Sequence, residues 1–281
     1  MTNSQSNSWS NAWRLAFFKV LRPVLLASLG LLPLMSAAQC IKTVRWYDDA
    51  PFSFKGRDGQ LRGANIELMR AILKTMRCDV KFVEMPWARA LVELQAGRLD
   101  LLPGALYTPE REQFAYFSRP LNRSPNRLFM SAKAASRYRL SNLADIVGTR
   151  FRLGAQIGVA YGPEFDRLAK TPEFLGNITM ITSRRSAWKM MEFDRIDGII
   201  ADQLSALIEL KEEGLKDAVV TTNIVVSESP ALVAMSRVTT TPEFVANFDK
   251  AIGALVADGS YKTIMDRYMP CSFSAEKMGC N

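Results

Sequence analysis

Histidine is missing from all 281 residues. Its absence excludes a Ser–His or Cys–His nucleophile pair and every histidine-based metal site. Cysteine is scarce, and none of the four (Cys40, Cys78, Cys271 and Cys280) sits in a CxxC pair, which argues against a zinc site. Acidic residues are absent from residues 1–38, where Arg14, Lys19 and Arg22 supply three of the positive charges behind the formal net charge of +8. Beyond that stretch acids and bases are interspersed, a solvated-surface pattern and not a nucleic-acid stripe. Long apolar runs are lacking too. The longest, VLLASLGLLPLM, is broken by Gly30 and Pro33 and falls short of the roughly 18 to 20 residues that span a bilayer.

What is present begins with a leader. A polar start, a basic flank, the short apolar run and the small residues Ser36, Ala37 and Ala38 read as an export signal over residues 1–38, cleaved after Ala38. A lipid anchor on Cys40 is disfavoured because Gln39 precedes it. The mature chain is expected to be freely soluble in the periplasm. In an exported chain an even number of cysteines points to disulfides, and three pairings are open. Cys40 stands just before IKTVRWY and Cys78 just before DVKFVEM, so neighbouring parallel strands would join them, leaving Cys271 and Cys280 to close a short loop.

After the leader, strand and helix signals alternate. IKTVRWY is β-rich, Asn65 can cap a helix built on Ile66, Met69, Leu73 and Met76, and DVKFVEM is a strand. PWARALVELQAG has proline at its start and glycine just past its end, as helices favour, and leads into the apolar LDLLPGAL. A second series runs RFRLGAQI, a helix over 161–168, NITMITS, a helix around SAWKMMEF, IDGIIAD and the helix QLSALIELKEE. GRLDLLPGA and DRIDGIIAD echo each other at the same helix-to-strand junction. RLFMSAK and ALVAMSR, at the two junctions of the series, are expected to be strands crossing between lobes, and two helices, PEFVANFDKAIGALVADG and SYKTIMDRYM, close the chain. The expected fold is α/β: two lobes joined by two crossing strands with a cleft between them, residues 39–128 and 238–281 forming lobe 1 and 129–237 lobe 2. A single long α/β domain is the plainer alternative.

APFSFKGRDGQLRGANIEL, MPWARALVELQAGRLDLL and YTPEREQFAYFSRPL, in this order and spacing, resemble the family 3 extracellular solute-binding proteins, receptors of polar amino-acid ABC importers. The resemblance runs from about residue 41 to the C-terminal helices. It implies a periplasmic-binding-protein fold that closes around a small-molecule ligand by hinge motion, a monomer without cofactor, and an inner-membrane permease as partner.

Ligands of open parallel sheets bind outside the carboxyl ends of the strands, which points to Trp46–Asp49, Gly104–Leu106, Gly158–Tyr161 and Ala201–Asp202. Arg111 falls where the family binds the ligand's carboxylate, a task for a planar, always-charged guanidinium. An ion pair with Glu110 or Glu112 is its structural alternative. Asp202 matches the acid that takes the ligand's ammonium, and capping the following helix is its structural alternative. The loop with Val159, Ala160 and Tyr161 matches a turn whose N–H groups hold the carboxylate. Trp87, and with it Trp46 and Tyr47, would face the ligand or pack in the core.

Three positions depart from the family. Leu106 and Val159 stand where hydroxyl side chains bind the ammonium and carboxylate, and Asp49 replaces an aromatic ring. Asp48 and Asp49 together favour a cationic ligand side chain, unless both are turn residues. The expected function is passive binding of an amino acid or related carboxylate or amine. A dehydratase acting on prephenate-like acids and a ligand-presenting co-receptor for a membrane sensor are the alternatives.

Overall fold

The computed structural model describes residues 39–280; the expected leader lies outside the described residues. Strand β1 (Ile41–Trp46), helix α1 (Ala64–Thr75), β2 (Asp79–Glu84), α2 (Trp87–Gln95), β3 (Leu101–Ala105), the one-turn α3 (Pro109–Glu112) and β4 (Ala115–Phe117) form the first series. The second comprises β5 (Asn126–Ser131), β6 (Leu153–Gln156), α4 (Pro163–Leu168), β7 (Ile178–Ile181), α5 (Arg184–Glu192), β8 (Gly198–Asp202), α6 (Gln203–Glu212) and β9 (Val219–Ser227). Then follow β10 (Leu232–Ser236), α7 (Pro242–Ala257) and α8 (Ser260–Tyr268).

Two five-stranded sheets result, ordered β2-β1-β3-β10-β4 and β9-β5-β8-β6-β7. Each has a parallel part where the expected βαβ units lie. β1 and β2 pair from Ile41↔Asp79 to Trp46↔Glu84, and β6 and β7 from Leu153↔Ile178 to Gln156↔Ile181. Helices cover both faces, so the central strands are apolar on both sides, as in LLPGA and GIIAD. In the first lobe α1, α7 and α8 bury Leu68, Met69, Ile72, Phe248, Ile252 and Met265 against one face. Ala90 and Leu94 of α2 cover the other face with Leu99 and Leu102. In the second lobe Phe151, Leu153 and Phe174 form one core layer, and Phe129, Trp188 and Ile199 the other.

The echo between GRLDLLPGA and DRIDGIIAD has a physical basis. Asp100 accepts from the Thr43 N–H at 2.7 Å at the start of the neighbouring strand β1. Asp197 accepts from the Arg152 N–H at 2.8 Å just before β6. Each aspartate thus fastens the entry of the adjoining parallel strand. Cys40 and Cys78 do the same covalently for β1 and β2, with Cα atoms 4.5 Å apart, and Cys271 pairs with Cys280.

The lobe boundaries need correction. RLFMS is not a strand between lobes but β5, bonded on both edges within the second sheet. LVAMS is β10, between β3 and β4 in the first sheet. The chain therefore crosses at residues 121–126 and again at 227–232, not at 128/129 and 237/238. The two crossings touch: Ala231 N–H donates to Asn122 O at 2.8 Å and Leu121 N–H to Ala231 O at 2.8 Å. The start of α1 also differs. Its N-cap is Gly63, at φ 120°, where a Cβ would lie 2.4 Å from Phe52 O, so only glycine fits. Asn65 is inside the helix and buried, free of capping work.

Candidate functional site

The carboxyl ends of the central strands of both sheets meet at a cavity of about 320 Å³ between the lobes. Tyr47, Asp49, Trp87, Gly104, Leu106, Arg111, Val159, Ala160, Tyr161 and Asp202 all line it. Trp46 does not: between Arg45 and Tyr47 on the chain, its ring packs against the Lys55 ammonium. Pro103 helps to open the space. It has no N–H to offer the sheet, and the β1–β3 register is limited to Val44↔Leu101, ahead of the proline.

Arg111 sits on the one-turn α3, which Thr108 caps by accepting from the Arg111 N–H at 3.2 Å. Its side chain is buried, with 7 % exposure. Nη1 donates to Leu106 O at 2.7 Å in the first lobe, and Nη2 to Gly158 O at 2.8 Å in the second. Gly158 O also accepts from Trp87 Nε1 at 2.9 Å, so one carbonyl of the second lobe gathers two donors of the first. Among the described residues no carboxylate stands within ion-pair distance of Arg111. Burial without such a partner pulls its pKa down to about 10. Glu112 is engaged instead with the Tyr107 hydroxyl.

Asp202 does the capping work its position suggests, accepting from the Ser205 N–H at 2.9 Å at the start of α6. Burial raises its carboxyl above the ordinary range. Tyr161 belongs to the core of the second lobe, its hydroxyl accepting from the Gln156 N–H at 2.7 Å, and burial pushes the phenol up to about 12. In the loop before α4 the Val159 N–H is spent on Gln156 O at 3.1 Å. Leu106 presents its carbonyl to Arg111 and an apolar side chain to the cavity.

Of the two readings of Asp48 and Asp49, Asp49 takes that of a turn residue, its N–H donating to Ser53 O at 2.7 Å and its carbonyl accepting from the Ser53 N–H at 3.0 Å. Asp49 Oδ1 accepts from Arg184 Nη2 at 2.6 Å and from Ser205 Oγ at 2.8 Å, across the cleft. Burial alone would raise the Asp49 carboxyl, but the Arg184 guanidinium overrides it and holds the group low. Arg184 is fixed from behind by Glu209, which is 1 % exposed and receives Nε and Nη2, each at 2.8 Å. Trp188 Nε1 completes the network at 2.6 Å from Glu209. Asp48 lies 3.4 Å from Arg185. Asp49 is thus paired, whereas Asp48 is half exposed and shares Arg185 with Glu212 and Glu213.

Among the further lining residues that escaped the sequence reading of the site are Arg45, Asn65, Ser124 and Arg184. Arg184 carried a signal, because a cation in the first turn of a helix opposes the macrodipole and needs an anionic partner. Arg45 lies within an otherwise strand-like run and is buried. Asn65 Oδ1 is buried in the wall with no hydrogen-bond partner among the described residues, and Ser124 Oγ has no partner of good geometry there, although it stands near enough to Asp202 to pull that carboxyl's pKa down. Unsatisfied polar atoms of this kind are costly unless a bound molecule or water serves them.

Comparison with known proteins fits this arrangement. The model of the bacterial extracellular solute-binding proteins, family 3, matches residues 43–270. The chain belongs to that family. Among curated relatives of this solute-binding protein is an L-arginine-binding protein of Pseudomonas aeruginosa, 26 % identical over 246 residues that cover 82 % of this chain and 86 % of the relative. Among solved structures, a histidine kinase sensor domain with similarity to periplasmic binding proteins superposes with a TM-score of 0.71, at 19 % identity, covering 83 % of this chain and 96 % of that one. An ancestral arginine-binding protein bound to arginine gives 0.69 at 23 % identity, covering 82 % and 98 %. These two likenesses establish the two-lobed fold; the cleft residues carry the question of ligand.

Proposed function

We propose that this solute-binding protein is the periplasmic receptor of an ABC-type importer, closing its lobes on a small solute that carries a carboxylate, an amine or both. The observation that carries this reading is Arg111. It is a buried guanidinium lining a solute-sized cavity with no carboxylate among the described residues within ion-pair distance, only the more distant fields of Asp166 and Glu110, so an anionic group from outside would complete its pairing. Asp202, Asn65 Oδ1 and Ser124 Oγ supply acceptors in the same wall for an ammonium group. They stand in for the ammonium-binding hydroxyl that Leu106 lacks. Arg111 and Trp87 of the first lobe and Gly158 of the second meet across the cleft, which ties ligand capture to lobe closure.

The test is a screen of amino acids, polyamines and small carboxylates by thermal shift and calorimetry. At least one is expected to bind, and Arg111→Ala is expected to weaken that ligand tenfold or more, about 1.4 kcal/mol. Silence of the whole panel at millimolar concentration, or an Arg111→Ala protein with unchanged affinity, counts against the receptor. One observation favours the dehydratase reading: Asp202 is a buried carboxyl of raised pKa in the same cavity as Arg111. Turnover of prephenate or arogenate to an aromatic product would replace the receptor by an enzyme.

A further inference from the structure

We propose that Arg45 is a second anion-recognising group of the cleft, and that the ligand is a small molecule with two carboxylates, a dianion in that sense whether or not it also carries an ammonium group: an acidic amino acid or a dicarboxylate. The inference rests on the reading of Arg111 as the anchor of one carboxylate, and adds the site for another.

The pairing of individual cations in the wall leads to it. Arg184 is taken up by Asp49 and Glu209, and Arg185 by Glu212, Glu213 and Asp48. Glu84 faces Lys55 at 3.6 Å. Arg111 and Arg45 remain without a carboxylate partner within ion-pair distance among the described residues. Arg45 is 9 % exposed, yet its side chain makes one hydrogen bond among them, from Nε to Met85 O at 3.2 Å. Its two terminal nitrogens have no acceptor there, and the residue lines the cavity. Burial is the main reason its pKa falls to about 10, with the field of Asp49 opposing the fall. A guanidinium so placed gains a full charge-assisted pair when an anion arrives.

Geometry ties the two arginines to one aromatic ring of the cavity wall. Both guanidinium groups pack against the Trp87 ring, Arg45 at 5.5 Å and Arg111 at 5.7 Å from its centroid. Arg45 also lies 5.4 Å from the Tyr47 ring. Aromatic surfaces hold each fork in place without neutralising it. A ligand with one carboxylate leaves Arg45 desolvated and unpaired, and a cationic side chain meets it with like charge.

Calorimetry on the mature protein with L-glutamate, L-aspartate, glutarate, L-glutamine and L-arginine tests the proposal. At least one dianion is expected to bind, with glutamate at least tenfold tighter than its neutral isostere glutamine if the amine is required, and glutarate as tight as glutamate if it is not. Arg45→Gln should bring the dianion down to the level of the neutral ligand, and Arg45→Lys should retain part of the preference. Arg111→Gln should weaken every carboxylate ligand alike. Melting curves of the unliganded variants show that they fold. Glutamine or arginine binding best, with loss in Arg111→Gln, overturns the dianion and keeps the receptor. An undiminished preference in Arg45→Gln likewise overturns the role of Arg45. Binding of none of the five overturns the dianion proposal, while the wider solute screen still decides the receptor.

Discussion

Asp202 illustrates how one side chain can serve the fold and the site together. Its Oδ1 caps α6, while burial raises its pKa. A carboxyl that holds its proton to higher pH in the folded state than in the unfolded chain favours folding at low pH. That contribution is lost as pH rises through the raised value. At neutral pH the unliganded protein therefore carries a penalty, which an ammonium group would relieve. Asp202→Asn keeps the cap, because asparagine is as good at that position, and removes the charge. Unliganded Asp202→Asn is expected to melt no lower than the wild type at neutral pH, and to bind an aminated ligand at least tenfold more weakly, about 1.4 kcal/mol. Wild-type affinity should also fall from neutral to mildly acidic pH while that of Asp202→Asn stays flat. Calorimetry at the two pH values reads both effects, and a pH-independent wild type would remove Asp202 from the ligand.

At the scale of elements, the loop before α4 carries the contact between lobes. Gly158 has φ +77°, and a Cβ there would lie 3.2 Å from Leu91 Cδ1 and 3.5 Å from the Ala88 Cα of α2. Gly158→Ala combines left-handed strain of roughly 1–2 kcal/mol with a tight approach to the opposite lobe. Ligand affinity is expected to drop roughly tenfold, since 1.4 kcal/mol is a factor of ten. If the strain were confined to the loop, the melting temperature would fall while affinity held, and a ligand titration separates the outcomes. The boundaries of α2 were legible, because Pro86 and Gly97 punctuate the chain, whereas the helix expected over 161–168 begins two residues later, at Pro163. Strand β9 was not legible. Its nine residues VVTTNIVVS follow no helix-to-strand rhythm, and its place at the sheet edge comes from pairing with β5.

The whole molecule is tied across its cleft by Asp49 and Arg184, 135 residues apart in the chain. Glu209 and Trp188 root that link in the second core. On the receptor reading the pair acts as a latch that biases the lobes toward each other before ligand arrives. Asp49→Asn leaves Arg184 its Glu209 partner, so the lobe should stay folded while the latch weakens. Small-angle scattering of the unliganded variant is expected to give a larger radius of gyration than the wild type, with the difference disappearing on ligand binding. Equal radii in both proteins would deny the latch.

The sequence by itself determined the alternation of strands and helices, the two-lobed α/β fold, and the strand ends that line the cleft. It could do so because hydrophobic period, proline, glycine and capping residues act within a few positions. It also placed Arg111 and Asp202 in the wall. Only the tertiary structure decided which acids are paired, since Arg184 of the other lobe holds Asp49 while Asp48 shares Arg185 with Glu212 and Glu213. It alone decided where the chain crosses, because β5 and β10 choose their sheets by the partners they meet. Arg45 changed most: an unremarked cation in a strand becomes, by burial without a partner, a group that calls for an anion. Charge pairing is a property of space, and local pattern carries no record of distances across a cleft.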